Sequence, residues 1–216
     1  FTDRDGKYQL AALAESAFDP LARSTQFMLN EEAYHMQTGE NGVGRTLHRT
    51  AELLKEGTDP KSVGALPMEL IQKYINFWVT RSMDLFGGED STNAAESFAA
   101  GLKGRYREGD GIYKDPKALN AEYKLEVPEG DKMVERQIPL RRAMNALLLD
   151  AYVADCQRIV NRWNRDLEAL EVDARVYLPS KRFNRNQGVY AESFFNPQGE
   201  LISSEEFKKR ESEWLP

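Results

Sequence analysis

The pair Asp19-Pro20 constrains this chain more than any other feature. Proline disfavours helical backbone in the residue before it and is welcome in the first turn of a helix that follows. Helical patterning stands on both sides. Leu10, Leu13, Ala14, Ala17 and Phe18 recur at spacings of three, four and seven over about residues 3–18. Leu21, Thr25, Met28, Leu29, Glu32, His35 and Met36 do the same over about 20–37. Two helices joined by so short a break pack as an antiparallel hairpin. Residues equidistant from the break then lie side by side. The midpoint of Asp3 and Glu32 is (3 + 32)/2 = 17.5, which falls on the break. The spacing therefore predicts Asp3 level with Glu32. Asp5 fits less well, because it stands about 200° round the helix from Asp3.

Glu32 and His35 are three apart, which puts a carboxylate and an imidazole on one helical face about a turn apart. A Glu-x-x-His pair on each of two helices, plus a carboxylate from each of two others, holds two metal ions in four-helix carboxylate proteins. Two carboxylates and an imidazole suit Fe, Mn or Zn better than Cu(I). Asp3, Glu32 and His35 are thus expected to form half of a two-metal site. The competing reading of Glu-x-x-His is a surface pair or a satisfied core histidine. Glu31 is expected to flank the site. His48 has Arg45 three residues before it and is expected at the surface.

The 216 residues suffice for one sizeable domain. No apolar run approaches the length of a membrane span. A net charge of −6 argues against a nucleic-acid partner, which calls for a basic footprint. The single cysteine, Cys156, excludes internal disulfides and fits a reducing, cytoplasmic setting. The chain opens on Phe1-Thr2-Asp3 with no Met, so its N-terminal part is expected to be missing, together with the other metal ligands.

Four regions are expected: 1–88 as the second half of a ferritin-like bundle, 89–137 as an irregular substrate-side region, 138–174 as a long helix packed on the bundle, and 175–216 as an extension. Gly39 is expected to cap the second helix, with a short helix at about 45–56 beyond it. Further helices are expected at about 67–85 and 93–101. The stretch 103–137 reads as irregular, with one brief strand-like piece around Tyr123–Val127. The longest helix is expected at about 139–171, with an apolar face from Met144 to Leu170. In the extension, Asn196-Pro197-Gln198-Gly199 predicts the turn of a small β-hairpin, and Ser203 the start of a last helix. The fold class is mainly α: a partial ferritin-like helical bundle with one long extra helix and a C-terminal extension holding a small hairpin.

At Phe1-Thr2-Asp3-Arg4-Asp5-Gly6, at Glu31-Glu32-Ala33-Tyr34-His35-Met36 and at Gly39-Glu40-Asn41-Gly42-Val43-Gly44-Arg45, the chain resembles one family closely. The likeness continues at Arg81–Gly87 and Ala99–Arg105. It is similar to the oxygenase subunit of benzoyl-CoA 2,3-epoxidase, di-iron proteins with a ferritin-like bundle. The resemblance implies that Asp3, Glu32 and His35 take the places of iron ligands, and that two iron ions are completed by ligands upstream of Phe1. It also implies a monooxygenase that epoxidises the aromatic ring of benzoyl-CoA. O₂ and electrons from a separate NADPH-dependent flavin and iron–sulfur reductase would be its co-reactants. Other readings are a ferritin-like iron store, or an inactive fragment with half a metal site.

A CoA thioester carries phosphates, and Lys and Arg are their usual partners. Asn93, Lys103 and Arg105, with Arg107 close by, are the candidates for that contact. Lys181, Arg182 and Arg185 form a second basic cluster. Gly39–Thr46 is superficially like a phosphate loop but lacks its Gly-Lys-Ser/Thr ending and follows a helix. Cys156, Trp78 and Trp163 are expected in the core, and Trp214 is expected to pin the tail.

Overall fold

The computed structural model describes residues 1–104 and 121–216. Helix α1 spans Thr2–Ala14 and α2 spans Asp19–Lys55. A 3-10 turn at Pro60–Val63 leads to α3, Met68–Asp84, and α4, Thr92–Ala99. Strands β1, Glu122–Glu129, and β2, Lys132–Pro139, precede a second 3-10 turn at Leu140–Ala143. Then come α5, Met144–Ala169, the short strands β3, Phe194–Phe195, and β4, Leu201–Ile202, and α6, Ser204–Trp214. The fold is mainly α with small antiparallel hairpins. Among the described residues, no helix is long and apolar enough to cross a membrane.

The break at Pro20 falls as the sequence predicts. Chain direction reverses at Glu15–Phe18, where the Ser16 hydroxyl accepts from the Phe18 N–H at 3.2 Å. Helix α2 does not stop at Gly39, however. It runs unbroken through Gly39, Gly42 and Gly44 to Lys55, so the expected cap and separate short helix are replaced by one helix of 37 residues. A mid-helix glycine costs about 0.5–1 kcal/mol against alanine. That cost is offset by tertiary burial of the turns beyond, where Leu47, Ala51 and Leu53 are at most 2% exposed. The Thr50 hydroxyl also donates to the Leu66 carbonyl at 2.7 Å. No proline interrupts the run, so packing decides.

One apolar core joins α1, α2, α3 and α5: Tyr8 and Ala12, Leu47 and Ala51, Ile75 and Val79, Leu149 and Tyr152 all belong to it. Trp163 is 3% exposed, as expected of a core residue, and stacks edge-on against Phe1 with ring centres 6.1 Å apart. Trp78 is not in the core. It is 50% exposed on the outer face of α3, one turn from half-exposed Tyr74.

The stretch expected to be irregular holds a regular hairpin. β1 and β2 pair antiparallel from Glu122↔Pro139 to Glu129↔Lys132, joined by Gly130-Asp131 with Gly130 at φ 59°. A two-residue loop opening on glycine with positive φ matches the strand twist. Leu125, Val127 and Ile138 turn inward onto Ala143 and Ala146.

The extension is bound along α3. Gln72 and Tyr177 exchange hydrogen bonds, and Asn76 donates to the Trp214 carbonyl at 3.0 Å. Trp214 packs with Phe183 and Phe207, so it pins the tail as expected. The cluster Lys181, Arg182, Arg185 is absorbed by ion pairs with Asp150, Glu126, and both Asp84 and Glu89.

Candidate metal centre

The α1–α2 hairpin brings Asp3, Glu32 and His35 together, with one potential ligand atom from each lying within 4.8 Å of the others. Among the described residues, this is the one such group of metal-binding types. The local reason is Gly6. A Cβ there would stand 3.2 Å from the Glu32 carboxyl carbon, so the bare backbone of α1 is what lets Glu32 lie against the helix beside Asp3. Glu32 is half-buried, while Asp3 and His35 are exposed.

Charge in this cluster is uncompensated. Burial pushes the Glu32 carboxyl above its ordinary value, the Asp3 charge pushes it further, and His35 opposes. Glu32 Oε2 is buried with no hydrogen-bond partner. An orphaned buried acceptor beside a second carboxylate and an imidazole is the donor set a hard or borderline cation satisfies. The residues present therefore fit one side of an iron site.

The surroundings divide in two. On one side Arg4 sits 8% exposed and reaches Asp155 at 2.8 Å and Glu40 at 3.0 Å. Asp155 also accepts from Lys7, Tyr8 and Arg158, and Glu40 pairs with Arg162 at 2.5 Å. Burial pushes the Asp155 carboxyl up, but the hydrogen bonds from Arg158, Lys7 and Arg4 outweigh it and hold it well below the carboxylate range. On the other side Asp5 is 5% exposed, and burial pushes its carboxyl up to about 6. Glu32 raises it further, while Gln9 and Lys103 oppose.

A cavity of about 100 Å³ opens beside Asp3 and His35. Phe1, Met36, Val43, Ile159 and Trp163 give it apolar walls, and Arg4 and Glu40 also line it. Reading the sequence alone missed Arg4, Glu40 and Asp155. The signal was there for Asp155: an acid set among Tyr152, Cys156 and Ile159 on a buried helical face needs a partner.

His48 lies at the surface as expected, 3.4 Å from Glu52. Cys156 is fully buried, and burial pushes its thiol up to about 11, which suits packing. Asn93 lies on α4. The Lys103 ammonium donates to Gln9 at 3.2 Å and faces Asp5. Arg105 and Arg107 lie outside the described residues.

No family model matches the chain. It is 45% identical to benzoyl-CoA oxygenase component B of Aromatoleum evansii over an alignment of 220 positions that covers the whole chain. The alignment takes in 46% of that protein, so the chain spans about half the length of the curated relative it matches. The resemblance read from the sequence stands on this comparison: from end to end, the chain is similar to component B of benzoyl-CoA oxygenase.

Proposed function

We propose that this chain forms part of an oxygenase subunit that acts on benzoyl-CoA at a di-iron centre, and that Asp3, Glu32 and His35 are three of the protein ligands. The observation that carries the reading is the convergence of those three side chains within 4.8 Å. The similarity to component B points the same way. In this reading the other ligands come from a further carboxylate and a second Glu-x-x-His pair in the whole protein.

Iron held there would supply the chemistry of O₂ activation that adds an oxygen atom to the aromatic ring. Electrons come from a separate NADPH-dependent flavin and iron–sulfur reductase. The chain's own part is positional. Asp3 and Glu32 would hold iron through carboxylate oxygens, and His35 through a ring nitrogen on the same face. Gly6 keeps room for the Glu32 carboxylate. Arg4, fixed by Asp155 and Glu40, locks α1 in register with α2 and α5, so that Asp3 stays level with Glu32. Met36, Val43, Ile159 and Trp163 give the cavity beside the cluster an apolar wall for a flat aromatic ring.

Iron analysis with an anomalous map on the longer natural protein tests the reading. Two metals about 4 Å apart, one held by Glu32 and His35, are expected. His35→Ala should remove that iron and O₂-dependent turnover while leaving helical content unchanged. Full iron loading and turnover in His35→Ala would refute it.

A further inference from the structure

A wide groove of about 1130 Å³ lies between the C-terminal halves of α2 and α5, with the stretch Gly64 to Leu66 along it. Its floor is apolar. Leu47, Trp163 and Leu167 reach it from the core, and Leu66 stands 47% exposed. Its walls carry both signs of charge. Arg162 is paired with Glu40 at 2.5 Å, and Arg49 with Glu52 at 3.2 Å. Arg45 on α2 and Asp166 on α5 are exposed, and neither has an ion pair or a side-chain hydrogen bond among the described residues. One charge of each sign is therefore left over, one on each wall.

Gly42 adds a second observation. It lines the groove from the middle of α2, where glycine is a poor helix former. A Cβ at Gly44 would press on the Trp163 ring at 3.2 Å, a packing reason for glycine. A Cβ at Gly42 would meet nothing within 4 Å. Packing among the described residues thus accounts for Gly44 and not for Gly42. Bare backbone on a groove wall suits the close approach of another main chain.

The size of the groove says what could lie there. A helix about 10 Å across, rising 1.5 Å per residue, fills roughly 120 Å³ per residue. The groove has room for about ten residues, or nearly three turns. An apolar floor between charged walls is what an amphipathic helix needs when it lies in a groove. A second copy of the chain fits badly. A two-fold interface sets the same patch on both sides, and a concave face does not fill its own image.

We propose that this groove seats a helix from the other half of the longer protein, with an apolar stripe on the floor, an acid toward Arg45 and a base toward Asp166. The proposal rests on the reading above, in which the rest of the protein supplies the remaining metal ligands. The chain spans about half the length of its curated relative, so a comparable length of polypeptide is there to fill the groove. Glu40 and Trp163 line both the groove and the small cavity at Asp3 and His35. A helix seated here therefore adjoins the incomplete metal cluster.

The test uses the full-length, iron-loaded protein with a photoreactive phenylalanine analogue in place of Leu66. Irradiation should give a product of monomer mass in which position 66 is joined to a peptide outside residues 1–216. A product of dimer mass, a join within residues 1–216, or no join at all overturns the proposal. Gly42→Leu gives a second reading. Overpacking a filled groove should lower the thermal midpoint of the full-length protein by about 2 °C or more. In an open groove the same change should raise it, because leucine is the better helix former. A midpoint at or above that of the wild type overturns the proposal. Iron content is measured on the same samples. Iron bound while position 66 stays unjoined removes the helix and leaves the metal reading standing. Position 66 joined as expected in protein that takes up no iron keeps the helix and removes the metal reading.

Discussion

Two clusters of charge, at opposite ends of the chain, are built on contrary principles. Arg185 itself is matched on each side. Its side chain is 0% exposed and donates to Asp84 at 2.8 Å, Glu89 at 2.9 Å and the Lys181 carbonyl at 2.9 Å. Glu89 takes its second contact from the Val189 N–H at 2.9 Å, and Asp84 takes the Asn186 and Gln187 N–H groups. Around Glu32 little is matched: a like charge stands beside it and one buried oxygen has no partner. A buried ion satisfied from every side closes a fold. A cluster of like charges with an orphaned acceptor is complete only when something else binds.

The strongest way to break this comparison is at Arg185. Arg185→Ala leaves Glu89 with buried charge and no counterion and Asp84 with Arg81 alone, and removing one partner of a buried pair costs about 3–5 kcal/mol. Urea unfolding should show that loss as a lower midpoint with an unchanged slope. A loss under about 1 kcal/mol would mean that the clamp is decoration and that matching does not separate the two clusters.

Asp155 sharpens the contrast from the metal side, because it is matched although it adjoins the open cluster. Asp155→Asn leaves Lys7 without its acid and Arg4 with Glu40 alone, and should cost about 3 kcal/mol at pH 7. The pH profile gives the sign. The folded carboxyl lies below its unfolded value near 3.8, so its contribution is full above that value and is lost as pH falls through and beneath it. The wild type should therefore lose stability below about pH 4 more steeply than Asp155→Asn does.

Gly188 tests the backbone part of the clamp. It holds φ 82°, and a Cβ would stand 1.8 Å from Glu89 Oε2. Gly188→Ala should cost about 2 kcal/mol through strain alone. At Gly39, where a Cβ meets open space on a helical backbone, alanine should instead gain up to about 1 kcal/mol in the isolated chain.

How much of this was legible depends on whether the controlling force was local. Pro20 acts through covalent geometry, so the hairpin and the meeting of Asp3 with Glu32 could be read from spacing. Gly39, Gly42 and Gly44 looked like a helix end because glycine is a poor helix former, yet contacts many residues away hold α2 together. The β1–β2 hairpin was hidden by charged, exposed positions such as Lys124, Glu126 and Arg136, which blur the alternation of a half-buried strand. Arg185 looked like a phosphate ligand because its partners, Asp84 and Glu89, lie about a hundred residues away in sequence. Trp78 was misjudged because helical period says which residues share a face, not whether that face is covered.

The smallest effect bears most directly on the open cluster. Glu32→Gln keeps the shape of the side chain and removes its charge. In a cluster built only for stability, that change would break a useful contact and weaken the metal-free protein. Here it should instead relieve repulsion from Asp3 and leave an amide able to donate where a bare carboxylate could not. The expected gain is about 0.5 kcal/mol in metal-free protein at pH 7, read from thermal unfolding. Iron binding should move the other way, with occupancy at His35 falling sharply, because an amide oxygen is a weak substitute for an anionic one. The opposite signs are the point: a residue that stabilises its protein by being removed, yet is required for the metal, is placed for function. A Glu32→Gln protein less stable than wild type without metal would put this cluster in the same class as Arg185.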